Sequence, residues 1–400
     1  MVSSDIFTMI KTIAYGVPKL RNVTVLANFD ESRFGYGEFR EVILPELADD
    51  EVLVRNFAAG INYNSIWSAL RKPADPFSLL ENYVKRNPRR SNHLNDFQII
   101  GSDSAGVVER IGNSVVDWKV GDEVVIHCNV VDRASKHHGR DEVICPTQGI
   151  WGYETNFGAF AQHSIVVASQ LMPRPNHLSW AESASYALTL STAYRMLISP
   201  NGAALKADES VLIWGASGGL GHFAIQLANI VGAIPIGVVS SKNKMEICHD
   251  LGLELVIDRS QIGGDLVDEM GKPKPMGWRS FEKSLRKLTN LPIDVVFEHV
   301  GRETLGLSVY ITRPGGRIVT CAATSGYECT IDLRYLWMNS KRLIGSHISN
   351  SQEARQANDL VLDKRIHPLV SRIEKFENLP RAINAVFNGE VAGKSVIEFD

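Results

Sequence analysis

Charge of one sign, cysteine and a secretory leader are all scarce in this chain of 400 residues, and each scarcity removes a class of function. Lys and Arg number 42 against 45 Asp and Glu, for a net charge of −3. That balance argues against a generic nucleic-acid or membrane-surface binder, while leaving room for a local basic pocket. The five cysteines, Cys128, Cys145, Cys248, Cys321 and Cys329, are odd in number and irregularly spaced. They suggest no disulfide framework and no zinc knuckle, and they fit a reducing cytosol. The segment Met1–Phe7 lacks the basic start, apolar run and small-residue cleavage site of a signal peptide, so a soluble cytoplasmic protein is expected. Between Val211 and Ser241 there is no Asp, Glu, Lys or Arg at all. Glycines, His222 and Pro235 divide that stretch into strand, helix and strand, which reads as a buried parallel sheet and not as a membrane span.

What the uncharged stretch does contain is a glycine cluster. The apolar run Val211-Leu212-Ile213-Trp214 breaks into Gly215-Ala216-Ser217-Gly218-Gly219-Leu220-Gly221 and then an amphipathic segment. Strand, tight turn and helix in that order open a dinucleotide-binding unit. Gly218 and Gly219 let backbone approach a pyrophosphate, Gly221 lets the helix pack on the strand, and the helix N-terminus offers N–H groups to phosphate. The competing reading is a glycine-rich packing turn. A second absence selects the cofactor. The second strand, Ile234–Val239, ends in Ser240-Ser241-Lys242-Asn243-Lys244, where an NAD site usually carries Asp or Glu for the ribose hydroxyl. Serines and lysines donate to a 2′-phosphate and neutralise it, so NADPH is expected; the plain alternative is a polar loop.

A chain of this length exceeds the roughly 250–300 residues at which single cores stop growing, so two domains are expected. The first half alternates short strands and turns, at 51–55, 106–112 and 119–126, and reads as β-rich. After Ala181 strands at 210–214, 234–239, 254–257, 294–298, 316–321 and 342–346 alternate with helices near 219–231, 243–251, 279–289 and 303–312, a doubly wound α/β pattern. Residues 259–292 are long for one connection and carry an excursion. The boundaries drawn are 1–185 with 349–400 for the β-rich domain and 186–348 for the nucleotide domain. No internal repeat or low-complexity tract interrupts them.

The motifs jointly resemble one family. Gly101 to Val108 (Gly-x-Asp-x-Ala-Gly-Val-Val), Gly121-Asp122-Glu123-Val124 and the glycine turn are similar to the medium-chain dehydrogenase/reductases. Asn62-Tyr63-Asn64-Ser65-Ile66-Trp67, Ile150 to Gly158, Gln170 to Pro173, Phe297 to Thr304, Arg334 to Met338 and Ile344 to His347 resemble the crotonyl-CoA carboxylase/reductases, from about Thr24 onward. The resemblance implies a GroES-like β-rich catalytic domain beside a Rossmann domain, and a homodimer or homotetramer. It also implies NADPH held by Ser217, Gly218, Gly219, Leu220, Gly221, Ser241, Lys244 and His299. Zinc-dependent relatives carry Cys near Asn62–Asn64 and Gly-His-Glu where this chain has Gly101-Ser102-Asp103. Amides substitute poorly for thiolate and imidazole, so no metal is expected.

The chemistry implied is hydride delivery from NADPH to the β-carbon of a 2-enoyl-CoA thioester, which leaves an enolate for an electrophile. A proton yields the saturated acyl-CoA; carbon dioxide yields a 2-alkylmalonyl-CoA. Asn64, Tyr153, Glu154 and His347 match the family's carbon dioxide pocket, with Asn62 in reserve on the same face. Taken singly, Asn64 reads as a turn residue and His347 as a satisfied histidine at a strand end. Lys85-Arg86-Asn87-Pro88-Arg89-Arg90 reads equally as a site for CoA phosphates or as a solvated loop. Residues 348–351 differ from the crotonyl-preferring pattern, which leaves open a different acyl chain, a longer one among the options. Two other readings stay open: an enoyl-thioester or quinone reductase that ends in protonation, and a non-catalytic NADPH-binding protein.

Overall fold

The computed structural model describes residues 10–19, 37–132 and 141–400. The segment Met1–Phe7 and Thr24, where the resemblance begins, lie outside them. In chain order the elements are β1 (Lys11–Pro18), β2 (Glu38–Ile43), β3 (Glu51–Gly60), α1 (Tyr63–Leu70), α2 (Pro76–Arg86), β4 (Phe97–Ile99), β5 (Ser104–Ile111), β6 (Glu123–Ile126), β7 (Asn129–Val130), β8 (Gly149–Ile150), β9 (His163–Val167), β10 (Leu171–Pro173), α3 (Trp180–Ser183) and α4 (Ala187–Leu197). There follow β11 (Ser210–Trp214), α5 (Gly221–Val231), β12 (Ile234–Val239), α6 (Lys242–Asp250), β13 (Val256–Asp258), α7 (Pro275–Leu288), β14 (Ile293–Glu298), α8 (Leu305–Ile311), β15 (Thr312–Thr320), α9 (Leu333–Trp337), β16 (Arg342–Gly345), α10 (Ser351–Leu362), β17 (Val370–Lys375), α11 (Leu379–Phe387) and β18 (Lys394–Glu398). Contacts divide the chain into two units. The first is Met1–Ala187 with Arg372–Glu390 and Ser395–Asp400; the second is Leu188–Ser371 with Val391–Lys394.

The first unit is the β-rich one. Its main sheet runs β10-β6-β5-β3-β18-β17, with β9 also on β3, and a smaller sheet runs β2-β1-β4. The pairs β3–β5, β3–β9 and β5–β6 are antiparallel. Val52, Val54, Val108, Val124 and Ile126 point to a shared core. Helices α1 and α2 interrupt the strand-and-turn pattern expected here. The reason is local: Asp75 accepts from Phe77 N and Ser78 N, Pro76 occupies the first turn, and Phe77, Leu80 and Tyr83 bury one face.

The second unit is a Rossmann domain. Its sheet runs β13-β12-β11-β14-β15-β16, all parallel, the doubly wound order with β11 at the centre. All five residues of β11 are buried, as a strand covered on both faces requires. The excursion at 259–292 resolves into a short turn, a bridge between Val267 and Pro273, and α7. This unit continues past the boundary drawn at 348 to Ser371. Helix α10 belongs to it because buried Glu353 pairs with buried Arg195 of α4 at 2.8 Å. Among the described residues no helix is long and apolar enough to cross a membrane.

Candidate active site

The nucleotide half starts where β11 ends. Gly215 takes φ +59°, and a Cβ added there would lie 3.0 Å from the His299 ring, so the histidine sits directly on the turn. His299 Nε2 is 2.9 Å from the Trp214 carbonyl, which can only accept; the proton is therefore on Nε2. Burial lowers the His299 pKa, which keeps the ring neutral. Gly221 has no room for a side chain, since a Cβ would meet the Gly215 carbonyl oxygen at 2.3 Å. Ser217 is buried, while Gly218, Gly219 and Leu220 are half-buried, with Leu220 at the N-cap of α5. His222 secures this turn: its Nδ1 lies 2.9 Å from Gly218 O, and its Nε2 accepts from Leu369 N at 3.3 Å. Those two bonds define one neutral tautomer, and burial holds the His222 pKa down at about 4.

At the end of β12 the expected groups are gathered. Ser241 caps α6 by accepting from Lys244 N, and Lys244 Nζ donates to Ser240 Oγ at 3.3 Å. Lys244 has its pKa lowered by desolvation first and then by a second cation, Arg259. Sequence reading missed Arg259, because it reaches this corner only when β13 pairs with β12. Glu298 was also missed. It is fully buried, and its Oε1 accepts from Val300 N, Gly301 N and Thr304 Oγ1 at 2.7, 3.0 and 2.9 Å, fixing the loop that carries His299. NADPH fits this donor set: glycines allow backbone approach, and the hydroxyls and cations at the end of β12 are donors of the kind a 2′-phosphate takes.

In the first unit, Asn64 of α1 donates from Nδ2 to Ser102 Oγ at 2.8 Å, and Asn62 donates to Asp103 Oδ2 at 3.3 Å. Ser102 and Asp103 are fully buried. The loop carrying Tyr153 and Glu154 is locked against the same segment. A Cβ on Gly152, at φ +67°, would lie 1.8 Å from the Gly101 carbonyl oxygen. The Tyr153 carbonyl accepts from Gln98 Nε2 at 2.8 Å, and its ring faces Trp67 at 6.4 Å between centroids. Glu154 Oε2 accepts from Ile150 N at 3.0 Å; burial raises its pKa, and that bond and Arg86 oppose the rise. Burial, then the Asp103 charge and, less, that of Glu154 push the Cys128 thiol up, so the Ser102–Asp103 segment and Glu154 share a neighbour.

His347 follows β16 in the second unit, where Ser346 N donates to Thr320 O at 2.8 Å. Its side chain is exposed by area, yet enough protein surrounds the ring to lower its pKa, with Arg195 adding to the effect. Nearby, Asn350 caps α10 by accepting from Glu353 N at 2.9 Å, which gives one residue of the 348–351 segment a structural task. In the basic cluster, Arg90 is engaged by Glu51 and Asp50 at 2.6 Å each, and Arg86 donates to the Asn82 and Pro146 carbonyls. Lys85 and Arg89 are exposed. A cavity of about 570 Å³ lies here, lined by Tyr83, Arg86, Arg89, Arg90, Asp50 and Asp132 among others.

Comparison with known proteins extends these observations. Residues 48–176 match the alcohol dehydrogenase GroES-like domain, and residues 219–363 match a family described as zinc-binding dehydrogenase. A crotonyl-CoA reductase of Streptomyces collinus is 48% identical over 355 residues, covering 88% of this chain and 79% of that protein. A crotonyl-CoA carboxylase/reductase of Cereibacter sphaeroides is 42% identical over 355 residues, 86% of this chain and 79% of its own. Among solved structures, a 2-octenoyl-CoA carboxylase reductase in complex with NADP and 2-octenoyl-CoA superposes with a TM-score of 0.92. It is 38% identical and covers 97% of this chain and 88% of its own. The zinc in one family description is not matched by the donors present. Asn62, Asn64 and Ser102 offer amides and a hydroxyl bonded within the chain, and among the described residues no three His, Cys, Asp or Glu side chains are grouped to hold a metal ion.

Proposed function

The chain belongs to the crotonyl-CoA carboxylase/reductase family, and from that premise we propose that it reduces a 2-enoyl-CoA thioester with NADPH and captures carbon dioxide at the α-carbon. When bound, NADPH supplies the hydride that reduces the enoyl double bond. The residues proposed to hold it are Ser217, Gly218, Gly219, Leu220, Gly221, Ser241, Lys244 and His299. The neutral His299 ring steadies the turn, and Lys244 with Arg259 meets the 2′-phosphate.

The reduced thioester is electron-rich at its α-carbon, so what the chain must do is present an electrophile there and keep protons away. The observation that carries this reading is the Asn64 amide. One N–H is committed to Ser102 at 2.8 Å, which orients the group and leaves the second N–H to donate to an oxygen of carbon dioxide. Glu154, held by the Ile150 N–H, orders water and neighbouring donors. Tyr153 supplies a wall, and His347 supplies a neutral imidazole. The amide and hydroxyl donor set supports a reaction without zinc; elemental analysis after chelation tests that, with full activity expected. We further propose a homodimer or homotetramer, supported by edge strand β16 and the exposed apolar residues Leu333, Trp337 and Met338, and tested by light scattering.

The deciding experiment follows NADPH oxidation with crotonyl-CoA and 2-octenoyl-CoA, with and without bicarbonate, and weighs the products. An alkylmalonyl-CoA is expected as the main product when bicarbonate is present. Saturated acyl-CoA alone, for both chain lengths, would replace this reading with a plain reductase.

A further inference from the structure

Glu298, the last residue of β14, is fully buried, and neither hydride delivery nor carbon dioxide capture has given its charge a task. Its Oε1 accepts from Val300 N, Gly301 N and Thr304 Oγ1, and its Oε2 accepts from Ser308 Oγ at 2.7 Å. Trp214 Nε1 can only donate and does so to Ser308 Oγ at 2.8 Å, which leaves the Ser308 proton to turn to Oε2. Every partner is a donor, so the group is a carboxylate. Among the described residues it forms no ion pair. An anion satisfied by neutral donors alone keeps its net charge, and the interior screens that charge weakly. Its neighbours register it. Burial first, and then the Glu298 charge, push the Cys321 thiol up to about 12, and the same two causes raise that of Cys329. Arg302, a cation that opposes the rise at Cys329, donates to the Glu269 carbonyl at 3.1 Å and not to Glu298.

The sheet says what such a charge can act on. Strand order reverses between β11 and β14, and a dinucleotide lies across the crevice at the carboxyl ends of the strands at a point of that kind. The serine and lysine corner that suits the 2′-phosphate ends β12, on one side of the glycine turn. The nicotinamide half then belongs to the other side, where Glu298 and His299 end β14. Giving up a hydride turns the neutral dihydronicotinamide ring into a cation. We propose that the Glu298 carboxylate favours the oxidised, cationic form of the cofactor over the reduced form, and so assists release of the hydride. The inference rests on the NADPH reading of the turn and extends it from how the cofactor is held to how its two forms are told apart.

The test titrates NADP⁺ and NADPH separately into the unmodified protein and two variants, with 2′-AMP, which has no nicotinamide, as the control. E298Q keeps the shape of the side chain and removes its charge. It should weaken NADP⁺ relative to NADPH about tenfold, which raises the potential of the bound couple by about 30 mV. T304V takes one donor from the same carboxylate, concentrates its charge, and should move the ratio a few-fold the other way. Neither should change 2′-AMP binding. A Glu298 that only braces its loop predicts instead that E298Q weakens both forms equally; that result, or an unchanged ratio, overturns the proposal. If E298Q does not fold, T304V decides alone, and an unchanged ratio there overturns it. An unmodified protein that binds neither form overturns instead the cofactor reading beneath.

Discussion

The two units place their functional groups by opposite means. In the second, the turn proposed to hold the cofactor is one contiguous stretch, Ser217 to Gly221, set by the end of a buried strand and the start of a helix. In the first, each group depends on a distant one: Asn64 on Ser102, Tyr153 on Gln98, and the Tyr153–Glu154 loop on the carbonyl of Gly101. The turn is built from chain neighbours and anchored to Leu369 by His222, whereas a site built from several loops fails when one loop moves. Hydride delivery and electrophile capture should therefore be separable by mutation.

The largest effects should come from glycines that allow close approach. Gly152→Ala places a Cβ 1.8 Å from a carbonyl oxygen at a left-handed φ, and should cost about 3 kcal/mol or more of stability. Below its melting temperature NADPH affinity should persist while carboxylation is lost. Gly221→Ala, with a contact of 2.3 Å, should abolish NADPH binding and leave the first unit's melting transition intact. Calorimetry with NADPH titration checks both, and identical behaviour of the two variants would dissolve the distinction between the units.

Next comes the cofactor preference. NADPH should be favoured over NADH by about tenfold or more in kcat/KM, roughly 1.4 kcal/mol. Lys244→Ala and Arg259→Ala should each narrow that gap without changing the ratio of carboxylated to saturated product. Equal use of both cofactors by the unmodified protein would remove the assignment of Ser241 and Lys244.

The smallest expected effect is one of pH. Burial raises the Glu154 pKa, so the carboxyl becomes protonated at a higher pH than an ordinary glutamate. Above that pKa the carboxylate accepts hydrogen bonds and organises the site; as pH falls through it, the carboxylated fraction of product should drop by a few-fold, about what one lost hydrogen bond implies. Glu154→Gln should remove the pH dependence and show the low fraction throughout. A product ratio flat with pH in the unmodified protein would exclude this role for Glu154.

The same contrast explains what could be read from residues alone. The central strands of the second unit were legible because parallel strands covered on both faces are written as apolar runs, as in Val211 to Trp214. The glycine turn and the serine–lysine corner were legible because their parts are neighbours in the chain. Arg259 and Ser102 were not, since each gains its meaning from a partner brought by sheet pairing or loop packing. Helices α1 and α2 hid in a region of strand-like patterning, although Asp75-Pro76 was a start signal in plain view. The continuation of the second unit past residue 348 depends on the Arg195–Glu353 pair, which spacing does not announce.

The central claim is that Asn64 and the Tyr153–Glu154 loop of the first unit, with His347, act on the electrophile, and the glycine turn of the second unit on the hydride. Its most direct test is Asn64→Ala assayed with NADPH and an enoyl-CoA under saturating bicarbonate, recording the rate of NADPH oxidation and the ratio of alkylmalonyl to saturated acyl product together. Loss of one charge-assisted hydrogen bond of about 1.5–3 kcal/mol should lower the ratio roughly tenfold or more while the oxidation rate falls much less. An unchanged ratio, or a rate that falls in step with it, would contradict the account.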